Sequence, residues 1–399
     1  MAGGFDLSDR QRYRRKLHEC LEGLERLLAE KRFDRPKNMM GLEIELNLAG
    51  TDGMPRMVNA QVLERIASPD FQTELGMFNL EVNVLPHRLG GRVFDQLAEE
   101  LSAGLGYAHR QAAEIDAGVV MIGILPTISR ADLVAGNLSA VDRYSLLNEQ
   151  ILMMRGEDFT LDIDGVERLI WTSGSIVPEA ACTSVQLHLQ VTPARFSAVW
   201  NAAQAVTAAQ IAVGANSPFL FGRELWRESR PPLFTQATDT RPPELQAQGV
   251  RPRTWFGERW VDSAYELFAE NVRYFPSLLP ICDEEEPLRV LAEGECRGSR
   301  SWSCTTGRST AGTGPSTGSR TAYRTCAWRT GCCRRGRRSP TSSPTPPSTT
   351  GSCAPSRTNR ARCGPVCPSP RRRRTSTPPA GTGSTRGCGG RAGAGRADW

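Results

Sequence analysis

Three short stretches hold the residues whose types and spacing can do chemistry. In GLEIELNL, Glu43, Glu45 and Asn47 alternate with Leu42, Ile44, Leu46 and Leu48. In MFNLEVNV, Asn79, Glu81 and Asn83 alternate with Phe78, Leu80, Val82 and Val84, and in TSVQLHLQV, Ser184, Gln186, His188 and Gln190 alternate with Val185, Leu187, Leu189 and Val191. Period 2 puts each polar set on one face of a strand and each apolar set on the other. For a single strand, a solvated outer face accounts for such alternation. Together the three say more: their polar residues are carboxylates, amides and one imidazole, with no lysine or arginine, and glutamate is depleted in strands. Like carboxylates side by side repel and cost stability unless a cation lies between them. An oxygen-rich face of this kind suits Mg²⁺, which also binds nucleotide phosphates.

The segments between these stretches must position them. LSDRQRYRRKLHECLEGLERLLAEKRF reads as a helix, with Ser8 as N-cap and Leu17, Leu21, Leu24 and Leu28 at helical spacing. MVNAQVLERIAS reads as a short helix, 93–116 as an amphipathic one, and VVMIGILP as an apolar strand. VDRYSLLNEQILMM, ARFSAVWNAAQAVTAAQIAVGAN and WVDSAYELFAENVRYF read as further helices, CTSVQLHLQVTP as a strand closed by Pro193, and NSPFLFGRELWRESRPPLF as a loop. Cys20, Cys182 and Cys282 are widely spaced and read as packed thiols in a reducing compartment. With no apolar leader and no membrane-length apolar run, the expectation is a cytoplasmic protein. Neither a G-x-x-x-x-G-K-[ST] loop nor a G-x-G-x-x-G fingerprint occurs.

GLEIEL, FQTELGMFNLEVNVLP, TSVQLHLQV and GANSPFLFGRELWRESR, in this order over most of 38–295, resemble the glutamate–cysteine ligase family in its carboxylate–amine ligase branch. The resemblance implies an α+β fold related to glutamine synthetase: a curved antiparallel sheet with helices on its convex face, and metals and ATP on the concave one. It implies ATP and Mg²⁺ as cofactors and small-molecule substrates. The γ-carboxylate of glutamate would attack the γ-phosphate, and the amine of cysteine would capture the acyl phosphate. By position, Glu43, Glu45, Glu74, Glu81 and His188 resemble the metal ligands, with Gln186 their polar companion. Arg223, Arg227 and Arg230 suit contacts to a substrate carboxylate or phosphate, and equally a solvated loop. Asn216 reads as a helix cap.

Composition divides the chain near residue 295. Residues 296–399 hold 20 of the 49 basic residues, all arginine, nine of the 12 cysteines, and one acid, Asp398, of 43. Removing them turns a formal net charge of +6 into 29 basic against 42 acidic residues for 1–295. The tail has Val366 but no Leu, Ile, Met, Phe, Lys, Glu, Gln or His, so disorder is expected there. It can be read as a basic nucleic-acid arm of a non-catalytic binding protein, yet it has few aromatics to stack on bases. Its cysteines lack regular zinc spacing and a nearby histidine. A third reading is a shifted frame in a GC-rich gene. With synonymous codons chosen freely, joining the last base of each codon to the first two of the next lets TCAWRTGCCRRGRRSPT spell LRVENRVLPAGPSVTD. That segment resembles the strand by which the family adds a further acidic metal ligand; the displayed chain has Trp328 and Arg329 where the glutamate would be encoded. The expectation is a one-base frame loss near Glu295. It leaves 1–295 as a partial ligase domain that folds poorly because sheet edges stay open, and 296–399 as a low-complexity segment.

Overall fold

An aspartate starts the first helix. α1 spans Leu7–Ala29, and Asp6 caps it by accepting from the Asp9 amide at 2.8 Å while its own amide donates to the Asp9 carboxylate at 3.3 Å. Ser8, the expected cap, lies inside the first turn and donates its hydroxyl to Asp6. A carboxylate outcompetes a hydroxyl there because it also meets the positive end of the helix dipole. The structure, a computed structural model, describes residues 5–33, 38–282 and 286–293, all within the unit Met1–Gly336. The readings made for 296–399 lie outside the described residues.

The central strand β1 (Met39–Ala49) is followed by α2 (Asn59–Ile66), the short β2 (Phe71–Thr73), β3 (Asn79–Arg88), α3 (Val93–Ala113) and β4 (Gly118–Val120). After α4 (Asp142–Arg155) comes a hairpin of β5 (Phe159–Ile163) and β6 (Leu169–Ser173) that alternation did not announce, then β7 (Val185–Leu189) and the long α5 (Pro193–Gly214). The main sheet runs β2-β3-β1-β4, with β7 also paired to β1, and every pairing in it is antiparallel. The mixed helix and antiparallel-sheet class is therefore as expected.

The stretch read as the loop 216–234 is more ordered than that. It holds a hairpin of β8 (Phe219–Leu220) and β9 (Arg223–Glu224), followed by α6 (Arg230–Ala237). Phe221 and Gly222 both take positive φ, 52° and 73°, as a two-residue turn matched to strand twist requires. The described chain closes with α7 (Pro243–Ala247), α8 (Ala264–Tyr274) and α9 (Pro287–Ala292).

The apolar face of β1 behaves as its alternation dictates. Leu42, Ile44, Leu46 and Leu48 pack with Leu80 and Val82 of β3 against Val62 and Ile66 of α2 and Val93, Leu97, Ala108 and Ala112 of α3. Each fully buried aliphatic side chain contributes roughly 1.5–3 kcal/mol. A second core gathers Leu75, Phe78, Ile124, Val177 and Ala180 with the β5–β6 hairpin. Glu45, Asn47, Asn79 and Glu81, on the polar side of the sheet, are buried too.

Two strand expectations need correction. Of VVMIGILP only Val119 and Val120 are strand, as the end of β4. Beyond it the backbone bonds elsewhere: the Ile122 carbonyl accepts from the Asn47 side chain, and Gly123 exchanges bonds with Asn216 and Thr183. β7 is shorter than read, and its apolar face is not the buried one. Val185 is 46% exposed and Leu187 37%, while Gln186 is 1% exposed. The reason is coverage, since the core built by α2 and α3 takes in Leu189 but neither Val185 nor Leu187.

Candidate metal and substrate site

Strand register builds the site. Glu45 lies directly opposite Glu81 in the β1–β3 ladder, with Asn47 opposite Asn79 two residues on. On the other side of β1, Glu43 pairs with Gln186 and Gly41 with His188 of β7. The polar sets of three strands thus share one face. Glu74 joins from the turn after β2, and one carboxylate oxygen from each of Glu45, Glu74 and Glu81 lies within 4.8 Å of the others. Glu45 is 4% exposed and Glu81 5%. Two glutamates facing one another across an antiparallel pair destabilise the ladder, and burial sharpens the repulsion.

Amides hold these carboxylates. Gln186 Nε2 donates to Glu45 Oε1 at 3.2 Å, and Asn83 Nδ2 donates to Glu81 Oε1 at 2.9 Å. His188 Nε2 lies 3.3 Å from Glu43 Oε1, but that approach lacks hydrogen-bond alignment, and the ring nitrogen is buried without a hydrogen bond. Gln186 Oε1 is likewise buried without a donor. The donor set of hard carboxylate oxygens, an amide oxygen and an imidazole, with acceptors left over, fits a divalent cation such as Mg²⁺.

Beside this cluster is a small, open concavity lined by Glu45, Glu74, Leu75, Asn79, Glu179, Ala180, Cys182 and Thr183. Three of the eight are carboxylates and none is basic. Glu179 lies on the 3-10 turn Val177–Ala181. Tyr144 of α4 feels the same field. Burial first, then Glu74, with Glu179 and Glu81 behind it and Arg143 opposing, pushes its phenol well above the usual tyrosine range. A buried amide network forms the floor. Asn59 Nδ2 donates to Ser139 Oγ and to the carbonyls of Gly76 and Asn79; Asn79 Nδ2 donates to Asn47 Oδ1; Asn47 Nδ2 donates to the Ile122 carbonyl.

The expected ligands Glu45, Glu74 and Glu81 are brought together, while Glu43, Gln186 and His188 form a neighbouring group along β1 and β7. None of the three arginines lines the concavity. Arg223 pairs with Glu167 at 2.7 Å on an exposed hairpin, and Arg227 is exposed. Arg230 is buried at the start of α6 and not in a solvated loop: its guanidinium grips Glu228 and donates to the carbonyls of Thr183 and Gly214. It braces the wall of the site through the backbone. Ala215 holds the C-cap position of α5, and Asn216 offers its carbonyl to Gly123. Glu179, Tyr144 and the Asn59–Asn79–Asn47 network escaped sequence reading. Only the amides on β1 and β3 carried a periodic signal; Glu179 sits in a turn, where no period marks a face.

Residues 39–259 match the family model for glutamate-cysteine ligase family 2 (GCS2). No curated protein matches the chain. Among solved structures, a glutamate–cysteine ligase (gshA) from Francisella tularensis in complex with AMP is similar at 13% identity, with a TM-score of 0.28 over 43% of this chain. The chain spans 30% of that protein's length.

Proposed function

The chain belongs to glutamate-cysteine ligase family 2, since the family model covers more than half of it, and from that premise we propose that it derives from an ATP-dependent ligase joining L-glutamate to L-cysteine. The observation that carries the reading is the buried Glu45–Glu81 pair, face to face with Glu74 close by and no basic group among the described residues that line the concavity. Bound positive charge between the carboxylates relieves their repulsion.

In this reading Glu45, Glu74 and Glu81 would hold one Mg²⁺ and Glu43 and His188 another, with Gln186 steadying Glu45. Bound Mg²⁺ supplies charge neutralisation for the triphosphate. Glutamate's γ-carboxylate takes the γ-phosphoryl group of ATP, and the cysteine amine displaces phosphate from the acyl phosphate to leave the γ-glutamyl amide. Arg227 is exposed and is our choice for a phosphate contact. The frame loss near Glu295 fits the same reading: it removes a further acidic ligand, so the displayed chain binds metal but does not complete the reaction.

Manganese titration of the purified chain, followed by paramagnetic resonance, tests the site. Binding is expected in the wild type and lost in Glu81→Gln. A wild type that binds no Mn²⁺ would sink the metal reading.

A further inference from the structure

We propose that β7 is the interface by which two copies of this chain pair, antiparallel and about a two-fold axis centred on Leu187. Among the described residues the strand pairs with β1 alone, so its other side is an edge. The backbone shows which residues face that edge. The Ser184 carbonyl accepts from the Glu45 amide, and the Gln190 amide donates to the Met39 carbonyl. Along an antiparallel strand, residues that bond to the neighbour alternate with residues that turn away from it. Ser184, Gln186, His188 and Gln190 therefore bond towards β1, and Val185, Leu187 and Leu189 direct their amides and carbonyls outward. The side chains of this outward set are uncovered as well, Val185 being 46% exposed and Leu187 37%.

Sheet edges are commonly blunted by charge, by proline or by a bulge. None of these protects β7. Residues 180–194 contain no Lys, Arg, Asp or Glu, Pro193 comes only after the strand, and the β1–β7 register runs without a break. The strand also fits itself. Antiparallel pairing centred on Leu187 sets Leu187 opposite its counterpart and Val185 opposite Leu189 of the other copy, so each outward amide meets an outward carbonyl. Apolar side chains then face apolar side chains, and no charge meets its like. The contact is isologous, so it closes at two copies and uses both edges. The chain's own C-terminal segment is a poor substitute, since residues 296–399 hold one branched aliphatic side chain, Val366. On the polar side, Gln186 of one copy comes opposite His188 of the other, which makes the two carboxylate faces one continuous sheet surface. No metal or substrate enters this pairing, so it stands apart from the ligase reading.

Sedimentation velocity of the full-length chain in reductant, over a concentration series, tests the pairing, together with hydrogen exchange of the peptide covering 183–191. The expected result is a reversible monomer–dimer equilibrium in which that peptide exchanges freely in the dilute monomer and is protected in the dimer. Leu187→Pro removes an outward donor and leaves the bonds to β1, at a sheet edge where proline is tolerated. It should raise the dimer dissociation constant by about tenfold or more with an unchanged circular dichroism spectrum. Val185→Lys should act in the same direction, whereas Ile170→Lys, at an exposed position of β6, should not. A chain that stays monomeric at every concentration overturns the proposal. So does an open-ended series of larger species, or a dimer that Leu187→Pro and Val185→Lys both leave intact. Protection of 183–191 already in the dilute monomer overturns it too, because another segment of the same chain then covers the strand.

Discussion

At the scale of single residues, the cost of the site is electrostatic. Glu45 and Glu81 face each other across the ladder with their carboxylates buried. Replacing one of them by its amide isostere removes the repulsion and keeps the shape. Glu81→Gln is expected to stabilise the metal-free chain by roughly 0.2–1 kcal/mol, read from urea midpoints in a chelator. In saturating Mg²⁺ the order should reverse, since only the wild type gains stability from the bound ion. A variant less stable than wild type in both conditions would mean that the pair is held by something other than a cation.

The elements that present these residues depend on a few local devices. Asp6 starts α1, and its carboxyl is held below the usual aspartate range by the Asp9 amide first and the Ser8 hydroxyl next. A lowered carboxyl stabilises the folded state above the ordinary aspartate pKa of about 3.9, and that contribution disappears as pH falls through the folded value. Asp6→Ala should lower the melting temperature near neutral pH. The gap from wild type should narrow in strong acid, which a pH series of thermal melts checks. Gly76 acts by space. Its backbone has no positive φ, but a methyl there meets Asn79, Phe78 and Ala180 at 2.5 Å, 2.8 Å and 3.1 Å. Gly76→Ala is expected to cost about 1–3 kcal/mol by overpacking, which chemical denaturation would report.

For the whole molecule, the exposed side of β7 matters most. Among the described residues β7 pairs with β1 alone, and Val185 and Leu187 project from it into solvent. Residues 294–399 have one aliphatic branched side chain, Val366, with which to cover them. An unblunted apolar edge strand associates with other strands, so the chain is expected to self-associate with rising concentration. Val185→Lys should reduce this in light scattering. The displayed chain should release no ADP with glutamate, cysteine and ATP, whereas a gene with its frame restored near codon 295 should; turnover by the displayed chain would refute the frame reading. No helix among the described residues is long and apolar enough to cross a membrane.

The sequence by itself determined the alternating strands and hence the carboxylate face, because a side-chain period of two is local and survives without its partners. Glu43, Glu45, Glu81, Gln186 and His188 were legible for that reason. It also located the composition break at 295, which no packing is needed to see. Tertiary structure decided what lies opposite what: register set Glu45 against Glu81, and the 3-10 turn at Val177–Ala181 carried Glu179 to the same concavity. It decided that Arg230 is a buried brace, since Glu228 and two carbonyls enclose its guanidinium. Among the described residues it left Val185 and Leu187 of β7 uncovered as well. Neighbours across space settle burial and charge pairing, and a strand's own period cannot say whether anything will pack on the face it prepares.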